Sequence, residues 1–170
     1  MKIKNVTFLT HAAMIAALYV VLTFFANALG LASGAIQIRF SEALTILPFF
    51  TPAAVPGLFI GCIISNLLTG CMPLDVIFGS LATLIGAYLT FLIGKKCRYP
   101  LSKWLSPIPP ILSNALIIPF VLAFVYQFDG SLLYFFVTVF LGEVISCYLL
   151  GMILFHTLYK YRNVLFHYYK

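Results

Sequence analysis

Acidic side chains are scarce in this sequence. Glu42, Asp75, Asp129 and Glu143 are its four, and only 8% of the 170 residues are charged. Soluble domains carry about 25% charged residues, so a chain this poor in charge is not built for water on all sides. The four cysteines, Cys62, Cys71, Cys97 and Cys147, stand in no CxxC or other metal-ligand spacing, which disfavours a metal site or redox motif and leaves them as small buried residues. A GxxxxGK[ST] phosphate loop is missing, so the chain does not hydrolyse ATP by that route. HExxH, GxSxG and any paired-carboxylate motif are missing too, which leaves catalysis without support. The expectation is a protein that is not an enzyme and binds no metal or cofactor of its own.

What the sequence has in abundance is apolar length. Hydrophobic residues make up 63% of it, with a mean hydropathy of +1.09. Apart from His11, no charge lies between Lys4 and Arg39, and none lies between Glu42 and Asp75, Asp75 and Lys95, or Lys103 and Asp129. Each gap can hold the roughly 20 apolar residues that cross about 30 Å of hydrocarbon. The expected fold class is an all-α integral membrane protein, one domain of six transmembrane helices near residues 5–29, 41–50, 53–69, 74–94, 108–127 and 131–160. Its solvent is the lipid bilayer.

The net charge of +6 does not point to nucleic acid, because of where the bases sit. Lys2 and Lys4 start the chain, "KKCRYPLSK" supplies Lys95, Lys96, Arg98 and Lys103, and the tail supplies Lys160, Arg162 and Lys170. By the positive-inside rule these segments are cytoplasmic, both termini included, and Arg39 is left outside. The run from Val6 to Phe25 exceeds the roughly 7 to 15 residues of a signal-peptide core, so it reads as an uncleaved first span despite the "ANA" that follows.

The second span is short. Its roughly ten α-helical residues rise only about 15 Å, and Pro48, Pro52 and Pro56 break it before a new helix climbs from about Ala53. A re-entrant hairpin is the competing path. Ser41 is placed to cap this helix, with Glu42 in its first turn and Arg39 in the outer aqueous layer. Alternatively, the glycine-bearing loop "GLASGAIQIRF" folds over a cavity, with Gln37, Arg39 and Glu42 as polar contacts at the lid.

Glu143, in "VFLGEVISCYLL", is the strongest chemical signal. Apolar residues surround it, no base lies within a helical turn, and an ionised group in the membrane must be paired or wet. Ser146, Cys147, Val139 and Phe140 share its face. Asp75 is placed to cap the outer start of the fourth span. Asn66 and Asn114 are amides that can donate and accept in an apolar setting. If the membrane begins near Ile108, Asn114 lies only about 9 Å from the inner edge, and it reaches an outer site only if prolines 107 to 110 stand below the interface. Small residues recur at helical spacing: Ala12, Ala13, Ala16 and Ala17 form two AxxxA pairs, Gly57 and Gly61 a GxxxG, and Gly79, Thr83, Gly86 and Thr90 a stripe. Such stripes let helices approach closely, within one chain or against another.

The blocks "IRFSEALTILPFFTPAAVPGLFIGCIISNLLTG", "LDVIFGSLATLIGAYLT", "SNALI" and "LGEVISCYLLG" resemble the queuosine-precursor S components (QueT type) of energy-coupling-factor (ECF) transporters. The tandem alanines resemble the AxxxA signature of S components generally, while "TGCMP" departs from the pattern and leaves the role of Asp75 open. The resemblance implies a substrate-binding subunit of the bacterial cytoplasmic membrane that docks through Ala12, Ala13, Ala16 and Ala17 on a T component carrying two ATPase subunits. ATP would be used by those partners only. The implied cargo is a 7-deazaguanine: preQ0, preQ1 or queuine. Glu143 would accept hydrogen bonds from a guanine-type edge, Asn114 and Asn66 would complete the base edges, and Phe140 or Tyr148 would stack on the ring. The aminomethyl cation of preQ1 would call for a second acid, Glu42 or Asp75. The alternatives are an S component for another vitamin, such as riboflavin, thiamine, folate or biotin, and a stand-alone proton-coupled carrier with Glu143 as its titrating group.

Overall fold

Residues 2–31, 37–97 and 99–166 are described by the computed structural model. Arg98, Lys170 and the middle of the expected lid loop, residues 32–36, lie outside the described residues. The described chain is helical, with no strand among the described residues. Four helices are long and apolar enough to cross a membrane: α1 (Lys2–Ala28), α4 (Pro73–Lys96), α5 (Leu101–Val125) and α6 (Leu132–Leu165). Two shorter apolar helices, α2 (Phe40–Phe49) and α3 (Ala54–Leu68), lie between α1 and α4.

Outward faces and inward faces separate as they should in lipid. On α4 the large side chains of Leu81, Ile85 and Leu89 are exposed, whereas Gly79, Ala82, Thr83, Gly86, Ala87 and Thr90 are buried. The polar and small residues therefore face the bundle, and the apolar stripe faces out, the reverse of a soluble helix.

The short second helix is the centre of the molecule. It is a 3-10 helix rather than the α-helix the sequence suggests, and its rise of about 2.0 Å per residue carries ten residues about 20 Å. Seven of those ten are buried, from Ser41 and Glu42 to Leu47 and Pro48, because α1, α3, α4 and α6 all pack around it. Ser41 does not cap it. Arg39 occupies the cap position with no side-chain cap bond, and Ser41 Oγ instead accepts the Thr23 hydroxyl at 2.9 Å.

Close helix contacts explain where the small residues lie. A side chain at Gly57 would come within 2.7 Å of the Ala12 carbonyl oxygen, and one at Gly61 within 3.0 Å of the Ala16 carbonyl oxygen, so the GxxxG of α3 is seated on the Ala12–Ala16 face of α1. Both alanines are buried there, while Ala13 and Ala17 are exposed. Half of the expected docking stripe is thus used within the chain.

The two long C-terminal helices each widen once. Pro119 removes an N–H from α5, and the helix continues as a π turn over Val121–Val125. In α6 a π segment, Val144–Leu150, begins directly after Glu143. Such single-turn π segments often occur at functional sites. Of the cysteines, Cys62 and Cys147 are buried as expected, but Cys71 and Cys97 are only half-buried, and all four are free thiols.

Candidate binding site

A cavity of about 500 Å³ opens at one end of the bundle. It is formed by the C-terminal ends of α1, α3 and α5, the N-terminal ends of α4 and α6, and the chain leading into α2. Lys95, Lys96, Lys103, Lys160 and Arg162 lie at the opposite helix ends, so these five basic residues and the cavity occupy opposite ends of the molecule.

Its wall combines polar and aromatic side chains. Gln37, Arg39, Asn66 and Asp75 line it with Thr23 and Asn27, together with Tyr126, Phe128, Tyr134 and Phe135. Asp75 is 5% exposed and lies in the first turn of α4, as expected, where its Oδ2 accepts the Tyr126 hydroxyl at 2.8 Å. The same tyrosine oxygen accepts the Met72 backbone N–H at 3.2 Å. Burial pushes the Tyr126 hydroxyl pKa up, and the neighbouring Asp75 adds to this, so the group stays a donor. The other carboxylate oxygen of Asp75 and the amide nitrogen of Asn66 both adjoin Gly79. A side chain there would lie 3.6 Å from Asp75 Oδ1 and 3.3 Å from Asn66 Nδ2. An acceptor and a donor are therefore presented side by side.

Below this cavity lies a small chamber of about 20 Å³, lined by Glu42, Gly79, Thr83, Asn114 and Glu143 and sharing Gln37, Arg39, Ile118 and Val139 with the space above. Glu42 is only 2% exposed and Glu143 only 9%. Glu42 therefore does not sit at an outer surface, as its place in the sequence suggests. It is carried inward by α2 and stands beside Glu143, which is not the single deep acid of the chain. Tyr19 donates its hydroxyl to Glu42 Oε1. Cys147 lies one turn along from Glu143 and donates its thiol to Glu143 Oε2 at 3.1 Å, so the partner the acid needs comes partly from its own helix. Asn114 reaches the same chamber.

Two features bring these elements together. The backbone of Gln37 lies directly against Gly142, where a side chain would collide with the Gln37 carbonyl oxygen. The Arg39 N–H donates to Ser146 Oγ at 3.1 Å. The chain entering α2 is thereby pinned to α6 on either side of Glu143.

Seven residues singled out from sequence, Gln37, Arg39, Glu42, Asn66, Asp75, Asn114 and Glu143, meet at the cavity and its floor. Phe140 and Tyr148 do not line either space: Phe140 stacks on Phe136 with centroids 6.1 Å apart, and Tyr148 packs against the cluster of Ile46, Met152 and Phe155. The aromatic wall comes instead from Tyr126, Phe128, Tyr134 and Phe135, which lie within or beside the turn "QFDGS", Gln127 to Ser131. Their closeness to that turn was the available signal, since Asp75, Asn66 and the lid segment belong to the same end of the bundle.

The fold and the cavity define a multi-pass membrane protein of the cell membrane with a polar pocket at one end. The QueT transporter family model matches residues 9–160, and the chain belongs to that family. That family is one of transporters rather than of enzymes. Among curated proteins the chain is similar to the "Queuosine precursor transporter QueT" of Lactococcus lactis subsp. cremoris (strain MG1363), 42% identical over 73 residues. That match covers 43% of this chain and 43% of the relative. No solved structure matches the chain.

Proposed function

We propose that this chain is the substrate-binding S component of an ECF-type transporter and takes up a 7-deazaguanine precursor of queuosine. In this reading it spans the membrane six times with both termini in the cytoplasm, α2 and α3 forming the short pair. The positive-inside rule sets the basic helix ends in the cytoplasm and turns the cavity outward. A T component docks on the remaining outward alanines, Ala13 and Ala17, and two ATPase subunits supply the hydrolysis for which this chain has no phosphate loop.

The observation that carries the reading is the composition of the cavity: polar side chains and aromatic rings around a space in the size range of small-molecule pockets. A planar base stacks on the aromatic rings. Its N1–H and exocyclic amine are donors for Asp75, and its carbonyl is an acceptor for the neighbouring Asn66 amide. This assigns the guanine-type edge to Asp75 rather than to Glu143, which lies in the floor. The curated relative named as a queuosine precursor transporter supports the substrate class.

Titrating the purified chain with preQ0, preQ1, queuine, riboflavin and thiamine tests the reading. Binding of at least one deazaguanine and of neither vitamin is expected. Binding of riboflavin or thiamine without any deazaguanine would replace it with a different S component. Uptake by the chain alone, driven by a pH gradient and without ATPase subunits, would replace it with a proton-coupled carrier.

A further inference from the structure

The floor chamber is unusual in its charge. Two carboxylates, Glu42 and Glu143, line it with one guanidinium, Arg39, which leaves one negative charge in excess, and Asp75 adds another in the cavity above. Paired carboxylates at this depth require a cation or a proton. Glu42 shows which lone pairs are open: Oε1 takes the Tyr19 hydroxyl, whereas Oε2 is buried with no hydrogen-bond partner among the described residues. Glu143 Oε2 accepts the Cys147 thiol, a weak donor. The amide of Asn114 stands near both acids.

Size limits what can complete this arrangement. About 20 Å³ is room for one water-sized group and not for a ring. The chamber shares Gln37, Arg39, Ile118 and Val139 with the larger cavity, so it lies within reach of a short arm on a molecule held above.

We infer that the chamber between Glu42 and Glu143 receives a primary ammonium group carried by the substrate, so that the chain selects the 7-deazaguanine whose side arm is an aminomethyl cation. This rests on the deazaguanine reading above and narrows it. An ammonium brings three donors and a positive charge, matching the open Glu42 Oε2 and the Glu143 carboxylate. A nitrile at the same position carries no proton and meets Glu42 Oε2 as one acceptor against another. The bulky secondary amine of queuine exceeds the space. The sites divide accordingly: Asp75 and Asn66 read the base, while Glu42 and Glu143 read the arm.

Equilibrium binding of preQ1, preQ0 and queuine to the purified full-length chain, before and after washing with a chelator, tests this. Leaving a buried charged partner unpaired typically costs a factor on the order of 100 or more, so preQ1 is expected to bind about 100-fold tighter than preQ0. Glu42→Gln and Glu143→Gln should each bring that ratio close to one. The wild-type ratio carries the test even if a variant fails to fold. Equal or tighter binding of preQ0 or queuine overturns the inference and leaves the deazaguanine reading standing. A preference for preQ1 that vanishes on chelation overturns it in favour of a metal ion, since oxygens of Glu42 and Glu143 and the Cys147 sulfur lie within 4.8 Å of one another. Failure of all three compounds to bind overturns both.

Discussion

The Tyr126 hydroxyl bridges two parts of the cavity rim, donating to Asp75 Oδ2 at 2.8 Å and accepting the Met72 N–H at 3.2 Å. It joins the end of α5 to the start of α4 and fixes the carboxylate that faces the proposed substrate. Tyr126→Phe removes both bonds and leaves Asp75 free to swing. Losing a hydrogen bond to a charged group is worth about 1.5–3 kcal/mol, so affinity is expected to fall about 10- to 100-fold while the chain still folds. Calorimetric titration together with a melting curve checks this, and unchanged affinity would detach Tyr126 from the site.

Tyr19 plays a different part, because its hydroxyl is the described partner of Glu42 Oε1 and it lies fully buried at the α1–α2 contact. Tyr19→Phe strips the Oε1 donor from a buried carboxylate. The expected result is a loss of about 1–3 kcal/mol of stability, read as a lower melting temperature in detergent. A variant as stable as the wild type would mean that Glu42 is satisfied in another way.

The two alanine pairs of α1 should separate experimentally. Ala16→Leu pushes into Gly61 and is expected to destabilise the chain by about 1–3 kcal/mol through overpacking. Ala17→Leu points outward, so folding and substrate binding are expected to survive while co-purification with a T component is lost. Recovery of an intact complex with Ala17→Leu would move the docking face elsewhere.

Gly142 allows the Gln37 backbone to lie on α6. In Gly142→Ala the added methyl displaces the segment that carries Gln37 and Arg39, and a strain of about 1–3 kcal/mol predicts roughly tenfold weaker binding. Measuring affinity and thermal stability side by side distinguishes a shifted rim from an unfolded bundle.

Much of the architecture was legible because lipid imposes simple rules. Charge-free gaps marked the long helices, and the scarcity of acids made each of the four informative. The second helix was harder. Its prolines and brevity signalled an irregular element, but a 3-10 helix surrounded by four neighbours follows from packing and not from local preference. Putting the first turn of that span at the outer surface led to the expectation that Glu42 lay there, whereas α2 carries that residue to the floor of the cavity. The aromatic partners were misjudged for a related reason: Phe140 and Tyr148 were chosen for nearness to Glu143 along one helix, while the cavity gathers its rings from the ends of α5 and α6.

The sequence by itself determined the lipid environment, the segregation of basic residues to one end and the identity of the polar residues, since each depends on composition and order alone. Only the tertiary structure decided that Glu42 and Glu143 share one chamber, that Asp75 pairs with Tyr126, and that Ala12 and Ala16 are occupied by α3. Those relationships join residues far apart in the chain, and no local spacing encodes them. They arise because Gly57, Gly61 and Gly142 let backbones close to contact distance and bring the polar side chains between them together.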